Sequence, residues 1–135
     1  MVFLLDTSTF SDLMRGRGPL EARMGNLPPT DRVIICSIVR GEVLYGIERM
    51  PSGKRREAVE RNAIEMFDFI PCEPVTPQMA DRYSQLKSEL ERRGLRLDEN
   101  DLWIAATAMA LSATLVTRDS DFQRIAGLSV EDWTA

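Results

Sequence analysis

The stretch Val2-Phe3-Leu4-Leu5-Asp6-Thr7-Ser8 decides how the rest of the chain is read. Four continuous apolar residues with no polar alternation suit a strand covered on both faces, and such strands belong to parallel sheets flanked by helices. The run ends abruptly in Asp6, Thr7 and Ser8, residue types that cap helices, so the strand is expected to pass straight into a helix. Asp6 then sits at the carboxyl end of a buried strand, the edge at which open α/β sheets gather their functional groups.

The same signature recurs downstream. Val33-Ile34-Ile35-Cys36 predicts a second strand, with Ser37 as the cap of a helix carrying Glu42, and Thr114-Leu115-Val116-Thr117 predicts another that ends in Arg118-Asp119-Ser120-Asp121. Short strands are expected around Phe69-Ile70 and Leu128 to Val130. Between them the pattern turns helical: a weak helix from Phe10 to Met14 and a short one from Pro19 to Met24. Longer amphipathic helices are expected from Lys54 to Phe67 and from Thr76-Pro77, as N-cap and first turn, to Gly94. The helix from Asp101 to Leu111 is apolar all round and belongs in the interior. Strands alternating with helices specify an α/β fold with a mainly parallel sheet and right-handed crossovers. With 135 residues and no linker or low-complexity tract, residues 1–135 are expected to form one domain.

Composition narrows the chemistry. There is no histidine, which removes Ser-His-Asp and Cys-His nucleophile systems and histidine-containing zinc sites. Cys36 and Cys72 have neither metal-ligand spacing nor the density of a disulfide scaffold and read as reduced thiols. The apolar start stops at Asp6, too short for a signal sequence or a membrane span, so a cytoplasmic protein with no membrane contact is expected. Hydrolytic chemistry must then rest on carboxylates with a hard metal ion. The net charge of −4 opposes nucleic-acid binding at first sight, yet 15 of the 17 basic residues are arginine, a side chain suited to bidentate phosphate contacts.

Asp6, Glu42, Asp101 and Asp119 are placed by this reading at or beside the same sheet edge. Four carboxylates stay ionised together there only around a cation, and an all-oxygen donor set suits Mg²⁺ or Mn²⁺. Each acid also has a structural alternative as a helix cap, a turn residue or a solvated side chain. Asp101 resists that alternative most. In Asp98-Glu99-Asn100-Asp101-Leu102-Trp103-Ile104 the three preceding residues suffice to shape and cap the helix start, and Asp101 is followed at once by apolar residues.

The blocks Leu4–Thr9 (LLDTST), Glu42–Gly46 (EVLYG), Asn100–Leu111 (NDLWIAATAMAL) and Leu115–Ile125 (LVTRDSDFQRI) together resemble PIN-domain ribonucleases, above all the VapC toxins of bacterial toxin-antitoxin pairs. The resemblance spans essentially the whole chain. It implies a PIN-like α/β/α sandwich whose five-stranded sheet has the order 3-2-1-4-5, and an endoribonuclease toxin that hydrolyses RNA. The acidic Mg²⁺-binding quartet falls on Asp6, Glu42, Asp101 and Asp119. By the same resemblance Asp121 falls on a frequently acidic position just behind the ligands, and Thr7 and Thr117 fall on small polar positions that would hydrogen-bond ligands or water. The Gly41 that precedes Glu42 departs from the family pattern and is expected to loosen that turn.

A homodimer and a neutralising VapB-type antitoxin are implied as partners. Arg92, Arg93, Arg96 and Arg118 are candidate RNA contacts, with a solvated, ion-paired helix end as the alternative for the first three. Two competing functions stand beside the nuclease. One is a degenerate protein-binding module on the same fold. The other is an aspartyl-phosphate phosphatase, which would want a second acid two residues after Asp6, where the chain has Ser8.

Overall fold

A computed structural model describes residues 1–16 and 18–134. Among the described residues five strands and six helices follow in the order β1 (Val2–Leu5), α1 (Thr7–Met14), α2 (Gly18–Gly25), β2 (Arg32–Cys36), α3 (Ser37–Glu48), α4 (Lys54–Phe69), β3 (Cys72–Glu73), α5 (Pro77–Arg92), α6 (Glu99–Ala110), β4 (Thr114–Val116) and β5 (Val130–Glu131), with a 3-10 helix at Ser120–Arg124. All pairings are parallel and the sheet order is β3-β2-β1-β4-β5, the α/β arrangement expected from the sequence. The central position of β1 creates the site. It lies between β2 and β4, with Leu5 paired to Val116, so Asp6 and Thr117 leave neighbouring strands side by side.

The sheet is as buried as its composition demands. Leu4, Leu5, Ile35, Leu115 and Val116 have no exposed surface. α6 lies within the core, packed chiefly on α5, with Ile104, Ala105, Ala106 and Ala108 all fully buried. Small side chains let the helix sit close, and enlarging one would cost about 1–3 kcal/mol in overpacking. The helix beginning at Asp98 is thus a rigid mount within the interior. Among the described residues no helix is long and apolar enough to cross a membrane, and Cys36 and Cys72 are both free thiols.

Three local expectations are corrected. Phe69-Ile70 is not a strand: α4 continues through Phe69, which is 75% exposed, and the strand begins at Cys72. The cause is Pro71, which pushes Ile70 into extended backbone (φ −106°, ψ 115°) and ends the helix. Ser37 does not cap α3. Cys36 holds the cap position without a side-chain hydrogen bond, and the Ser37 hydroxyl donates to the Glu73 carbonyl at 3.5 Å. α1 begins at Thr7 rather than near Phe10, because Asp6 itself caps it.

Candidate active site

Asp6 is the hinge between the first strand and the first helix. Its Oδ1 accepts from the Thr9 backbone N–H at 2.8 Å, satisfying an otherwise orphaned amide at the start of α1. Its Oδ2 accepts from the Thr117 hydroxyl at 2.6 Å, and that hydroxyl in turn accepts from the Asp119 backbone N–H at 3.0 Å. Thr117 therefore couples the ends of β1 and β4 through one oxygen atom. The Asp6 side chain is 5% exposed. Burial pushes its carboxyl above the ordinary value, against the hydrogen bonds from Thr117 and Thr9 and the positive charge of Arg118.

Glu42 is clamped from two sides. Its Oε1 accepts from the Thr7 hydroxyl at 2.5 Å and its Oε2 from the Asn100 amide at 3.2 Å, so α3 is tied to the starts of α1 and α6. α3 runs through Gly41 unbroken. The side-chain clamp, rather than the backbone at Gly41, holds the Glu42 carboxylate. Asp119 is exposed, caps the 3-10 helix and accepts from the Asp121 N–H at 2.9 Å.

Asp101 lies in the first turn of α6, half-buried. Its carboxyl is pushed up from 3.8 to about 6, first by burial and then by the negative charges of Asp98, Glu42, Asp119 and Asp6. Those last three are the other acids selected from the sequence, so Asp101 feels all three across the sheet edge. Among the described residues no three Asp, Glu or Cys side chains are already gathered as a coordination group. The oxygens of Asp6, Glu42 and Asp119 are engaged by hydroxyl, amide and backbone donors. Each carboxylate oxygen has two acceptor positions, however, and a single hydrogen bond leaves room for a cation. The all-oxygen donors and the crowding of negative charge fit a hard divalent ion.

The remaining candidates scatter. Asp98 caps α6, its Oδ2 accepting from the Asn100 N–H at 3.2 Å; Glu99 and Asn100 do not share that task. The Glu99 carboxylate meets the Tyr83 hydroxyl and Lys87, and the Asn100 side chain holds Glu42. The carboxylate of Asp121 pairs with Arg124 at 3.5 Å, and it is the backbone of Asp121 that supports Asp119. Arg118 donates from Nε to the fully buried Asp12 at 3.0 Å. Arg92 donates to the Ser88 hydroxyl and Arg93 to the Arg124 carbonyl, while the Arg96 carbonyl accepts from Arg124.

Sequence reasoning passed over Asn100 and Asp12. For Asp12 a signal was present: a carboxylate beside Phe10 and Leu13, the apolar positions of a short helix, needs a partner if it is buried with them. For Asn100 the signal was redundancy, since one cap at Asp98 leaves the amide without a task at the helix end.

Comparison with known proteins supplies the context. The family model described as "PIN domain" matches residues 3–128. The chain is 31% identical to Ribonuclease VapC1 of Haemophilus influenzae (strain R2866), covering 99% of each chain. It is 30% identical to the tRNA(fMet)-specific endonuclease VapC of Salmonella typhimurium, covering 97% of each. Among solved structures, VapBC2 from Rickettsia felis, bound to a DNA fragment from their promoter, matches with a TM-score of 0.91 and 28% identity, over 98% of this chain and 99% of that one. VapBC-1 from nontypeable Haemophilus influenzae matches with a TM-score of 0.88 and 27% identity over 100% of each chain.

Proposed function

The chain belongs to the PIN-domain family, in its VapC branch of ribonuclease toxins, and on that premise we propose that it is an Mg²⁺-dependent endoribonuclease whose metal is held by Asp6, Glu42, Asp101 and Asp119. A VapB-type antitoxin restrains it, as the VapBC composition of its solved relatives suggests, and the active form is a homodimer in the cytoplasm. The observation that carries the reading is the placement of the four acids: Asp6 and the Asp119 backbone meet at the Thr117 hydroxyl, Glu42 is tied to Thr7 and to Asn100 beside Asp101, and burial followed by the charges of Asp98, Glu42, Asp119 and Asp6 pushes the Asp101 carboxyl up to about 6. Stability alone gives no reason to face these charges toward one another. A cation makes the arrangement favourable.

When bound, Mg²⁺ supplies a water of lowered pKa and neutralises charge at the scissile phosphate. The protein's own part is positional. Asp6, with one oxygen on the Thr9 amide and the other on the Thr117 hydroxyl, cannot rotate away from the sheet edge. Thr117 transmits that constraint to Asp119. Glu42, fixed by Thr7 and Asn100, is the carboxylate held in place to orient the attacking water and accept its proton. Asp101, mounted at the start of the buried α6, presents its half-buried carboxylate to the same edge.

Induced expression followed by mapping of new RNA 5′ ends tests the reading, with Asp101→Asn as control. New ends that depend on Asp101, together with calorimetric Mg²⁺ or Mn²⁺ binding lost in that variant, are expected. A full cleavage pattern from Asp101→Asn refutes the assignment. Absence of metal binding with antitoxin binding retained favours the binding module instead.

A further inference from the structure

One large groove, about 920 Å³, runs from the acidic edge across the surface between α1, α3 and α4. Thr7 and Glu42 line one end; Arg15, Arg49, Lys54 and Arg55 line the remainder, with an apolar floor that includes Val43 and Val59. Among the described residues Glu42 is the only acid that lines it. In a chain of net charge −4, a groove with four cations and one acid is a marked segregation of charge. Glu42 and Arg49 are seven residues apart along α3, about 10 Å at 1.5 Å per residue, so the basic part lies well beyond the carboxylates.

The cations differ in what holds them. Arg15 lies 3.9 Å from Asp12, and Arg49 rests over the Tyr45 ring. Arg56, which points elsewhere, is taken up by Glu60, Glu48 and the Met50 carbonyl. Among the described residues Lys54 and Arg55 have no ion-pair partner, and both are exposed. Their position also costs stability, because positive charge in the first turn of α4 opposes the helix dipole. An anionic strand along the groove removes both the exposure and the dipole penalty.

We propose that this groove is the track for the phosphodiester backbone of the substrate RNA: the strand reaches the carboxylates at the Thr7–Glu42 end and is held beyond the cut site by Arg49, Lys54 and Arg55. The inference rests on the nuclease reading and assigns the substrate contact to residues different from Arg92, Arg93, Arg96 and Arg118. It also explains how an acidic protein binds RNA: the contact needs a local basic channel, not a basic surface overall.

The test uses Lys54→Gln/Arg55→Gln in the full chain, with Arg32→Gln/Arg82→Gln as a control of equal charge change elsewhere. Bulk bacterial RNA is the probe, with binding measured in the Asp101→Asn background and cleavage in the otherwise wild-type protein, both with Mg²⁺. Losing two phosphate contacts should lower the slope of log K against log salt by about 1.4 and weaken binding about 10- to 30-fold at 0.1 M salt. KM should rise with kcat preserved, and the control should behave as wild type. Equal binding and cleavage by both double variants, from a protein that does cut RNA, overturns the groove and leaves the nuclease standing. RNA binding retained while co-expressed antitoxin no longer co-purifies gives the groove to the protein partner and also overturns the proposal. A wild-type protein that neither binds nor cuts RNA removes both readings.

Discussion

Replacing Asp101 by asparagine should make the metal-free protein more stable while abolishing its activity. In the unfolded chain the carboxyl loses its proton near 3.8, in the folded protein at about 6. Between these values the folded state holds more protons, so stability falls as pH rises, and above pH 6 the full penalty is in place. The difference between these two values corresponds to roughly 3 kcal/mol. Asp101 is only half-buried, so solvent screening reduces that figure, and its favourable place in the first turn of α6 offsets about 0.3–1 kcal/mol more. A net gain of about 1–2 kcal/mol for the variant remains, equivalent to a rise of roughly 3–7 °C in Tm for a chain of this size. Thermal unfolding followed by circular dichroism, in EDTA at pH 7.5 and again at pH 4, measures it. The gain should appear at pH 7.5 and vanish at pH 4. Mg²⁺ should raise the Tm of the wild type and leave the variant unmoved. If Asp101→Asn is less stable than wild type at pH 7.5, Asp101 is a structural cap, and the argument from crowded charge is wrong.

Three further perturbations probe the supporting contacts. Thr117→Val keeps the shape but removes the hydroxyl shared by Asp6 and the Asp119 amide; denaturant unfolding should show a loss of about 1–3 kcal/mol, and RNA cleavage should fall at least tenfold. Unchanged stability would mean that the two strand ends are not coupled through it. Asn100→Ala frees one Glu42 oxygen at an exposed hydrogen bond, so urea unfolding should register less than about 1 kcal/mol while cleavage drops severalfold. A variant with full activity would remove Asn100 from the site. Arg118→Gln takes the guanidinium from the fully buried Asp12, and unfolding in urea should lose about 1–3 kcal/mol, whereas Arg92→Gln, whose bond is to an exposed serine, should stay within about 0.5 kcal/mol. Equal stability of the two would restore Arg118 as a residue free to contact RNA.

The features legible in the sequence are those whose physical signals are local. Val2–Leu5, Arg32–Cys36 and Thr114–Val116 announced themselves because a strand buried on both faces excludes polar residues. Their placement of Asp6 and Asp119 at one edge came from parallel topology alone. The two-residue strand Cys72–Glu73 carried no such pattern. Its position depends on where Pro71 turns the chain and on the Ile35 N–H that bonds the Pro71 carbonyl at 3.0 Å, a long-range fact. Which residues Asn100 and Asp12 would meet was hidden for the same reason, since their partners Glu42 and Arg118 lie 58 and 106 residues away in the chain.

That distribution bears on how the site stays assembled. The Asp119 carboxylate is held within its own segment, where it caps the 3-10 helix, but those of Asp6 and Glu42 are not. Asp6 needs Thr117 across the β1–β4 pair, and Glu42 needs Thr7 and Asn100 from two other helices. Only the completed sheet brings these partners within reach. Repulsion among the four charges acts on the folded protein and not on the extended chain, so it subtracts from stability while the buried sheet and α6 resist it. α6 is suited to that load because Ala105, Ala106 and Ala108 are fully buried, so the helix is enclosed by the core on several sides. A larger residue at Ala106 should therefore weaken the site before it unfolds the protein: Ala106→Val should shift α6 outward, lower the Asp101 carboxyl toward its ordinary value and reduce Mg²⁺ affinity. NMR titration of Asp101 alongside calorimetry would show both changes together, and a lowered affinity with the Asp101 titration unmoved would separate the mount from the charge it carries.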